Sequence, residues 1–420
     1  MDYNAWWVLA GCMLIGAGAA VVGSFAYLRK KALAGDAIAH SILPGVVLAF
    51  MLSGYKSMWV LFPGALAAGW FSLWVMDAIT RSTRIKPDAA IAIVLSVFFA
   101  FGLVLLSIVQ TTGGGQQAGL DTFLFGKAAA MVSADIYVFA FVDIFLIILI
   151  GLFYPYLKLL SFDVGFAGST GLPVRFLEFL LSTLTVLSVA TGIQAVGVVL
   201  MAALIITPAA AARFFVKRLS HMLVLAGVFG LISAALGALI SYTTPKMPTG
   251  PWIVIVLSVL AMLSFVFAPQ KGMFFKYRMR IKHQRKVQEE NILKELYREL
   301  IQNGSPQVAA VNLLERRKFD GRMLETGLQR LVDKDLVHRL PKGLTFTVAG
   351  EVEASRVVRL HRLWELYLTA RMNIAEDHVH HDAEAIEHII TPELEAMLIA
   401  ELGNPQFDPH QSIIPGVPLP

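Results

Sequence analysis

Long apolar segments, repeated along the first two thirds of the chain, constrain its fold more than any other feature. A helix that crosses a lipid bilayer needs about 20 apolar residues. Segments that meet this requirement lie near 5–28, 37–54, 57–79, 88–110, 135–157, 176–194, 195–213, 221–243 and 250–268. Of the 420 residues, 56% are hydrophobic and 15% are charged, whereas soluble domains contain about 45–50% and about 25%. We therefore predict an all-α polytopic membrane domain of eight or nine transmembrane helices.

The second apolar segment is the least regular of the set. It starts with Gly35 and Asp36 and contains Pro44, and a proline removes one hydrogen bond from a helix. A broken or re-entrant element is an open alternative to a full span at this point. That alternative would leave eight full spans.

Basic residues in the short loops predict the orientation, because cytoplasmic loops are enriched in lysine and arginine. Every second loop carries most of them: Arg29, Lys30, Lys31, Arg81, Arg84, Lys86, Lys158, Arg175, Arg213, Lys217 and Arg218. The other loops hold little beyond Lys56, Lys127 and Lys246. We expect a multi-pass membrane protein with its N-terminus outside and its C-terminal domain in the cytoplasm.

The character of the sequence changes after the membrane domain, which we assign to residues 1–268. Residues 269–287 form a basic juxtamembrane linker with aromatic residues, suited to an anionic membrane surface, so membrane lipid is an expected partner. Residues 288–355 show helical spacing of apolar residues and then strand-like alternation in VHRLPKGLTFTVAG, which predicts a winged-helix α+β domain. Residues 356–420 hold a further long helix and a proline-rich tail.

Two features of the sequence limit the chemistry of the chain. No phosphate-binding loop of the form GxxxxGK[ST] occurs, and Gly126-Lys127 lacks the upstream glycine. The single cysteine, Cys12, excludes an intrachain disulfide. We therefore expect that this chain binds no nucleotide and that any ATP hydrolysis takes place on a separate chain, so that this chain is not itself the enzyme.

Asp36 and His40 are the most informative ionisable residues in the membrane domain. Their i, i+4 spacing places both on one face of a helix, and a carboxylate with an imidazole suits manganese, zinc or ferrous iron. Ionisable groups within a span cost about 2.5–3.5 kcal/mol each, so their presence requires a reason. The alternative is that Asp36 lies at the interface, caps a helix and bonds only to His40. A second intramembrane acid, Asp143, is expected to face the pathway or a partner subunit.

Three segments resemble signature segments of the manganese/zinc/iron permease family of ABC importers. They are SFAYLRKKALAGDAIAHSILPGVVLAF, SFDVGFAGSTGLPVRFLEFLLSTLTVLSVA and VGVVLMAALIITPAAAARFF. The resemblance covers residues 1–268 and implies that Asp36 and His40 are the metal ligands of the transport pathway. It also implies three partners: a cytoplasmic ATPase, a second permease that is the same chain or a paralogue, and an extracytoplasmic metal-binding protein.

The same resemblance gives the loop from Asp163 to Pro173 the role of coupling the permease to the ATPase. Small residues would let a short helix sit closely in a groove of the partner: Gly165, Ala167, Gly168 and Gly171. The alternative is an ordinary polar turn between two spans.

Histidines and acids are concentrated in the stretch HVHHDAEAIEH near the C-terminus. Glu384, Glu387 and His388 follow i, i+3, i+4 spacing and therefore share one side of a helix. His361 and Glu365 are spaced i, i+4 on the preceding helix. Two such helices can enclose a divalent ion. The alternative is a solvated acidic face with scattered histidines.

Residues 290–416, approximately, resemble the iron- and manganese-dependent repressors of the diphtheria toxin repressor type. The similarity lies in RLHRLWELYL, VHHDAEAIEH and NPQFDPHQSIIPG, and it implies a helical metal-binding and dimerisation segment. Four residues would be shared between two neighbouring metal sites, and two would belong to the ancillary site: Glu384, Glu387, His388 and His361 in the first set, Glu365 and His380 in the second. Glu384 stands where iron-type members have cysteine, and a hard oxygen ligand favours manganese.

The first helix of this region departs from the repressor pattern. Asn291 and Lys294 lie near the expected ligand positions. Either Glu290 or Glu295 substitutes for the missing ligand, or the primary site is incomplete.

The expected recognition helix, near 320–334, supplies candidate DNA contacts. These are Arg322, Thr326, Gln329 and Arg330, with Lys342 on the wing. The basic surface is thin, because Glu325, Asp333 and Asp335 share the region and phosphate neutralisation dominates affinity for DNA. A protein-contact role for the winged helix is the alternative.

The leading hypothesis is a permease subunit that imports manganese, zinc or iron and carries a C-terminal sensor that inhibits import when it binds the metal. The divalent ion is then both cargo and regulator. A membrane-tethered or proteolytically released, metal-dependent DNA-binding regulator is the alternative. A permease for a metal chelate, such as cobalamin or a siderophore, is a third hypothesis.

Overall fold

The structure is a computed structural model, and it divides into two compact units, Met1–Lys276 and Tyr277–Pro420. The residues that it describes are 3–29, 31–55, 58–111, 126, 131, 133–243, 247–269, 271–310, 312–313, 320–372, 391–403, 405–410 and 412–416. The division between the units falls within the expected juxtamembrane linker. The finer domain boundaries stay predictions.

The described part of the first unit is helical. Its helices are α1 Tyr3–Leu28, α2 Ala32–Ser53, α3 Met58–Ser82, α4 Pro87–Thr111, α5 Ser133–Phe162, α6 Val164–Ser169, α7 Val174–Val196, α8 Val198–Phe215, α9 Leu219–Thr243 and α10 Thr249–Phe267. Eight of these are long and apolar enough to cross a membrane. Helix α8, the predicted seventh span, has 18 residues and is therefore about 27 Å long, slightly less than the bilayer core. The predicted polytopic helical domain is confirmed.

Helix α2 is continuous, so it is neither broken nor interrupted at Pro44. Because Pro44 has no N–H, the carbonyl of His40 lacks its usual helical donor. The helix ends at Gly54, which has a φ of 74° and donates its N–H to the carbonyl of Phe50. This left-handed residue is the usual glycine end of a helix.

Close contacts between small residues hold the first unit together. A Cβ atom on Gly16 of α1 would lie 2.6 Å from the carbonyl oxygen of Gly230 on α9. A Cβ atom on Gly23 of α1 would lie 1.9 Å from the carbonyl oxygen of Ile205 on α8. Such close backbone approach is typical of helix packing in membranes. No hydrophobic effect drives the helices together there, and small residues let them pack closely enough for van der Waals contact.

The second unit continues from α11, Met273–Tyr297, which starts in the first unit and ends in a π-helical turn, Arg298–Gln302. It then contains α12 Gly321–Asp333, β1 Val337–Leu340, β2 Gly343–Phe346, α13 Val348–Met372 and α14 Pro392–Glu401. The strands pair antiparallel across a turn at 341–342, with Val337 opposite Phe346. Leu324 and Leu328 of α12 pack with Ile292 of α11 in one core. The predicted fold class, helices with a small antiparallel sheet, is confirmed for this unit.

Arginines of α13 attach it to α14 and to the C-terminal tail. Arg359 donates from Nε and Nη2 to Oε1 of Glu395 at 2.9 and 2.5 Å, and the two side chains are only 8% and 11% exposed. Arg359 also donates to the carbonyl of Gly416 at 3.0 Å. Arg362 lies 3.5 Å from Asp408. The described part of the tail therefore contacts α13 at Asp408 and at Gly416.

Candidate metal centre and coupling elements

Asp36 and His40 occupy successive turns of α2. Nε2 of His40 lies 3.4 Å from Oδ1 of Asp36, which is longer than an ordinary N–H···O hydrogen bond of about 2.7–3.2 Å. Two donors that are each about 2.1 Å from one ion, at a tetrahedral angle, lie about 3.4 Å apart. The pair therefore has the spacing of two ligands to a single divalent ion.

The imidazole of His40 is held in place by packing. The ring of Phe99 on α4 meets it edge-on, with ring centroids 4.7 Å apart and an interplanar angle of 81°. Nδ1 of His40 is buried and has no hydrogen-bond partner among the residues described. The side chains of His40 and Asp36 are 18% and 32% exposed. Both groups are thus partly accessible and available as ligands.

The pair is an incomplete coordination shell. Within the described ranges, no group of three or more His, Cys, Asp or Glu side chains could hold a metal ion. A zinc site requires about four ligands, and manganese accepts more. A metal ion held by Asp36 and His40 would therefore need further ligands.

Asp143 of α5 lies inside the unit and faces α1. It is 7% exposed, and its Oδ2 has no hydrogen-bond partner in the part of the chain that the structure describes. A Cβ atom on Gly18 of α1 would lie 2.1 Å from its Oδ1. Asp143 therefore fills the space that Gly18 leaves open and does not face a partner subunit in this structure.

The predicted coupling loop contains the short helix α6. Oδ1 of Asp163 accepts a hydrogen bond from the N–H of Phe166 at 2.8 Å, so Asp163 is the N-cap. Gly171 has a φ of 80°, a conformation that glycine adopts at least cost. Pro173 is the residue before α7. The aspartate, glycine and proline thus have local structural roles that are sufficient to explain their types.

The exposed surface of α6 differs from the one expected from sequence. Gly165 and Gly168 are exposed, but Ala167 is fully buried, so Ala167 is not on the open surface of α6 and the role of this helix in contacting a partner stays a prediction. Val164 and Phe166 are 45% and 55% exposed instead. Sequence reasoning missed both residues, although large apolar side chains in a glycine-rich turn are a signal for a contact surface.

In the second unit, His361 and Glu365 lie one turn apart on α13. Nε2 of His361 is 2.9 Å from Oε1 of Glu365, and the side chains are 9% and 1% exposed. This distance fits a hydrogen bond, and it is also close to the spacing of about 3 Å between adjacent ligands at about 2.1 Å in an octahedral shell. The other candidate ligands lie outside the described residues: His380, Glu384, Glu387 and His388.

Helix α11, the expected source of a further ligand, uses its acids in ion pairs. Glu289 lies 2.9 Å from Nε of Arg330 and 2.5 Å from Nζ of Lys334, both on or next to α12. Glu290 lies 3.5 Å from Nζ of Lys286. Glu289 therefore joins α11 to α12, a role that the sequence did not reveal. Whether Glu290 or Glu295 also supplies a metal ligand stays a prediction.

The candidate DNA contacts on α12 are unequal in this structure. Arg330 faces α11 and is bonded there, so it does not belong to the open surface of the helix. Gln329 donates to Asp333 at 3.0 Å, and the hydroxyl of Thr326 donates to the carbonyl of Arg322 at 3.0 Å. Arg322 and Lys342 are exposed. The open face of α12 is thus only weakly basic, because Glu325 and Asp333 share it.

The apolar helices around a carboxylate–imidazole pair, joined to a winged helix, define a polytopic membrane transport protein with a regulator-like domain. The family model described as the ABC 3 transport family matches residues 1–268. The chain belongs to this family. A second model, the iron dependent repressor metal binding and dimerisation domain, matches residues 347–416, so both resemblances seen in the sequence are confirmed.

Several bacterial proteins are similar to this chain over about two thirds of its length or more. The manganese transport system membrane protein MntC of Bacillus subtilis is 38% identical over 89% of this chain and 86% of that protein. The zinc transport system membrane protein TroC of Treponema pallidum is 40% identical over 66% of this chain and 92% of that protein. The solved structure of PsaBC from Streptococcus pneumoniae, in complex with Fab, matches 64% of this chain and 94% of that chain, with 33% identity and a TM-score of 0.59.

Proposed function

We propose that this chain is the permease subunit of an ATP-driven importer of manganese or zinc. The Asp36–His40 pair carries the proposal, because its 3.4 Å separation fits two donors to one divalent ion. We favour manganese and zinc over iron as the cargo, because the similar proteins described above belong to manganese and zinc transport systems. A bare ion also suits a carboxylate and an imidazole better than a bulky chelate does.

The importer requires three partners. A second permease, either the same chain or a paralogue, supplies the ligands that Asp36 and His40 leave open. A cytoplasmic ATPase contacts α6 through the exposed Phe166, and an extracytoplasmic metal-binding protein delivers the ion. The distribution of lysine and arginine supports an external N-terminus and a cytoplasmic C-terminal domain in a bacterial inner membrane.

The C-terminal domain acts as a metal sensor on the permease. It binds the same ion through His361 and Glu365 together with ligands from 380–388, and it slows import when occupied. A link of this kind is reciprocal, so transport states that bind the sensor differently also change its affinity for metal. The burial of the His361–Glu365 pair supports this role, whereas the weakly basic face of α12 disfavours DNA binding.

The proposal is tested by uptake of radiolabelled manganese and zinc into vesicles that contain the chain, its partner permease and the ATPase, with the extracytoplasmic metal-binding protein supplied. Asp36→Asn removes the negative charge of the carboxylate at nearly constant shape, and His40→Gln removes the imidazole nitrogens. Uptake should fall at least about tenfold, since even outer-shell losses cost about 10–100-fold in metal sites. Asp77→Asn is the matched control, because Asp77 lies at the end of α3, 57% exposed and paired with Arg81. If Asp36→Asn transports like this control, the proposal is wrong.

A further inference from the structure

A cluster of positive charges lies where α8 and α10 end. Arg213 is in the last turn of α8, Lys217 follows that helix, and Lys271 lies in the turn between α10 and α11. Nζ of Lys271 donates to the backbone carbonyl oxygen of Arg213 at 3.1 Å. This bond connects the turn after α10 to the last turn of α8, across 58 residues of sequence.

The cluster lacks negative charge. Arg213 donates from Nη1 to the carbonyl of Lys217 at 3.2 Å, and none of the three cations has an acidic partner within the residues described. Burial, followed by the positive charges of Arg213 and Lys217, lowers the pKa of Lys271. Like charges that approach in this way disfavour each other. An anion placed among them would remove that cost.

Exposed apolar side chains flank Lys271 in the sequence. Phe267 ends α10 and Phe274 lies in the first turn of α11, and their ring centroids are 6.4 Å apart. They are 63% and 54% exposed, and Met273 is 55% exposed. Gly272 closes the turn by donating its N–H to the carbonyl of Ala268 at 2.8 Å. Aromatic and basic side chains at the end of a span are typical of the boundary between headgroups and acyl chains.

We propose that Arg213, Lys217 and Lys271 bind the headgroup of an anionic phospholipid, with Phe267 and Phe274 in contact with its acyl chains. The general enrichment of cytoplasmic loops in cations explains why basic residues occur here. It does not explain why Lys271 is held against Arg213 or why an exposed aromatic pair flanks Lys271 in the sequence. A soluble phosphate would use the cations and leave the aromatic pair without a role. The binding is independent of the ion that is transported.

The test uses the full chain, purified in a neutral detergent and titrated with dioctanoyl phosphatidylglycerol. The midpoint of thermal unfolding should rise to a plateau, and dioctanoyl phosphatidylcholine should leave it unchanged. The double variant Arg213→Gln/Lys271→Gln should need about tenfold more phosphatidylglycerol for half of the rise. The matched control is Arg84→Gln/Lys86→Gln, which removes two cations from the loop between α3 and α4 and should respond like the unaltered chain.

Two further arms keep the interpretation unambiguous. Arg213→Lys/Lys271→Arg retains both charges and should respond like the unaltered chain, which separates charge from damage to the fold. Glycerol 3-phosphate, which has the phosphate but no acyl chains, should have no effect at the same concentrations. The proposal is overturned if both glutamine variants respond alike, if no lipid stabilises the unaltered chain, or if glycerol 3-phosphate acts as strongly as the lipid.

Discussion

Two histidine–carboxylate pairs at i, i+4 spacing differ in burial and in the distance between the imidazole nitrogen and the carboxylate oxygen. His40 and Asp36 are 3.4 Å apart, beyond ordinary hydrogen-bond length, whereas His361 and Glu365 are 2.9 Å apart and more deeply buried. An ion entering the first pair breaks no strong hydrogen bond, which suits a site that must fill and empty in each transport cycle. The second pair exchanges an existing contact for the ion, which suits slow, equilibrium sensing.

The ion pair of Arg359 with Glu395 gives a prediction for stability. Arg359→Ala should lower the free energy of unfolding of the C-terminal unit by about 3 kcal/mol, the lower end of the range for a broken buried pair, because the carboxylate of Glu395 is left with its longer contact with Nη1 of Arg356, at 3.7 Å. Arg371→Ala is the control: Arg371 lies 2.7 Å from Glu401, but both side chains are more than half exposed, and such pairs contribute about 0–1 kcal/mol. Proteolysis pulses in increasing urea measure both values. Equal losses would show that burial does not set the energy of the Arg359 pair.

At the scale of elements, the approach of α1 to α8 depends on Gly23. Gly23→Ala would place a methyl group 1.9 Å from the carbonyl oxygen of Ile205, so the helices must separate, at a cost of about 1–3 kcal/mol. Gly151→Ala on α5 is the control, because nothing lies within 4 Å of its Cβ position. Cys12 is the single cysteine and is 1% exposed, so its reaction with a fluorogenic maleimide reports unfolding. Similar midpoints for the two variants would contradict this packing.

Helix α6 gives a second prediction at this scale. Phe166→Ala should weaken the complex with the ATPase about tenfold or more, because an aromatic anchor at an interface contributes strongly to binding. Phe179→Ala removes an equally exposed ring from the apolar surface of α7 and should leave the complex intact. Titration of the ATPase against each permease variant in nanodiscs measures the affinity. An unchanged affinity for Phe166→Ala would remove α6 from the interface.

Local sequence patterns predict the helices of this protein but not the contacts between residues that are distant in the sequence. The spans, the hairpin and the spacing of Asp36 with His40 follow from local patterns, namely apolar length and helical periodicity. The Arg359–Glu395 and Arg330–Glu289 contacts join residues that are 36 and 41 positions apart. Such pairs meet only after folding, so no local pattern marks them. The burial of Ala167 likewise depends on packing that residue type alone does not determine.

A permease that carries a metal-sensing domain should respond to the metal that it has imported. Vesicles preloaded with manganese should take up labelled ion more slowly as the internal concentration rises. His361→Ala removes a sensor ligand and should abolish this inhibition without changing the rate into empty vesicles. Arg371→Ala, on the same helix, should remain inhibited. Inhibition that persists in His361→Ala would separate the sensor from these ligands.

The most direct test of the central claim is to identify the atoms that bind the transported ion. Electron–nuclear double resonance of manganese bound to the ¹⁵N-labelled chain, in a His361→Ala/His380→Ala/His388→Ala background that removes the candidate sensor histidines, should show a directly bound imidazole nitrogen. His40→Gln should remove this nitrogen coupling, and Asp77→Asn should leave it unchanged. A nitrogen coupling that persists in His40→Gln would contradict the assignment of Asp36 and His40 as the transport site.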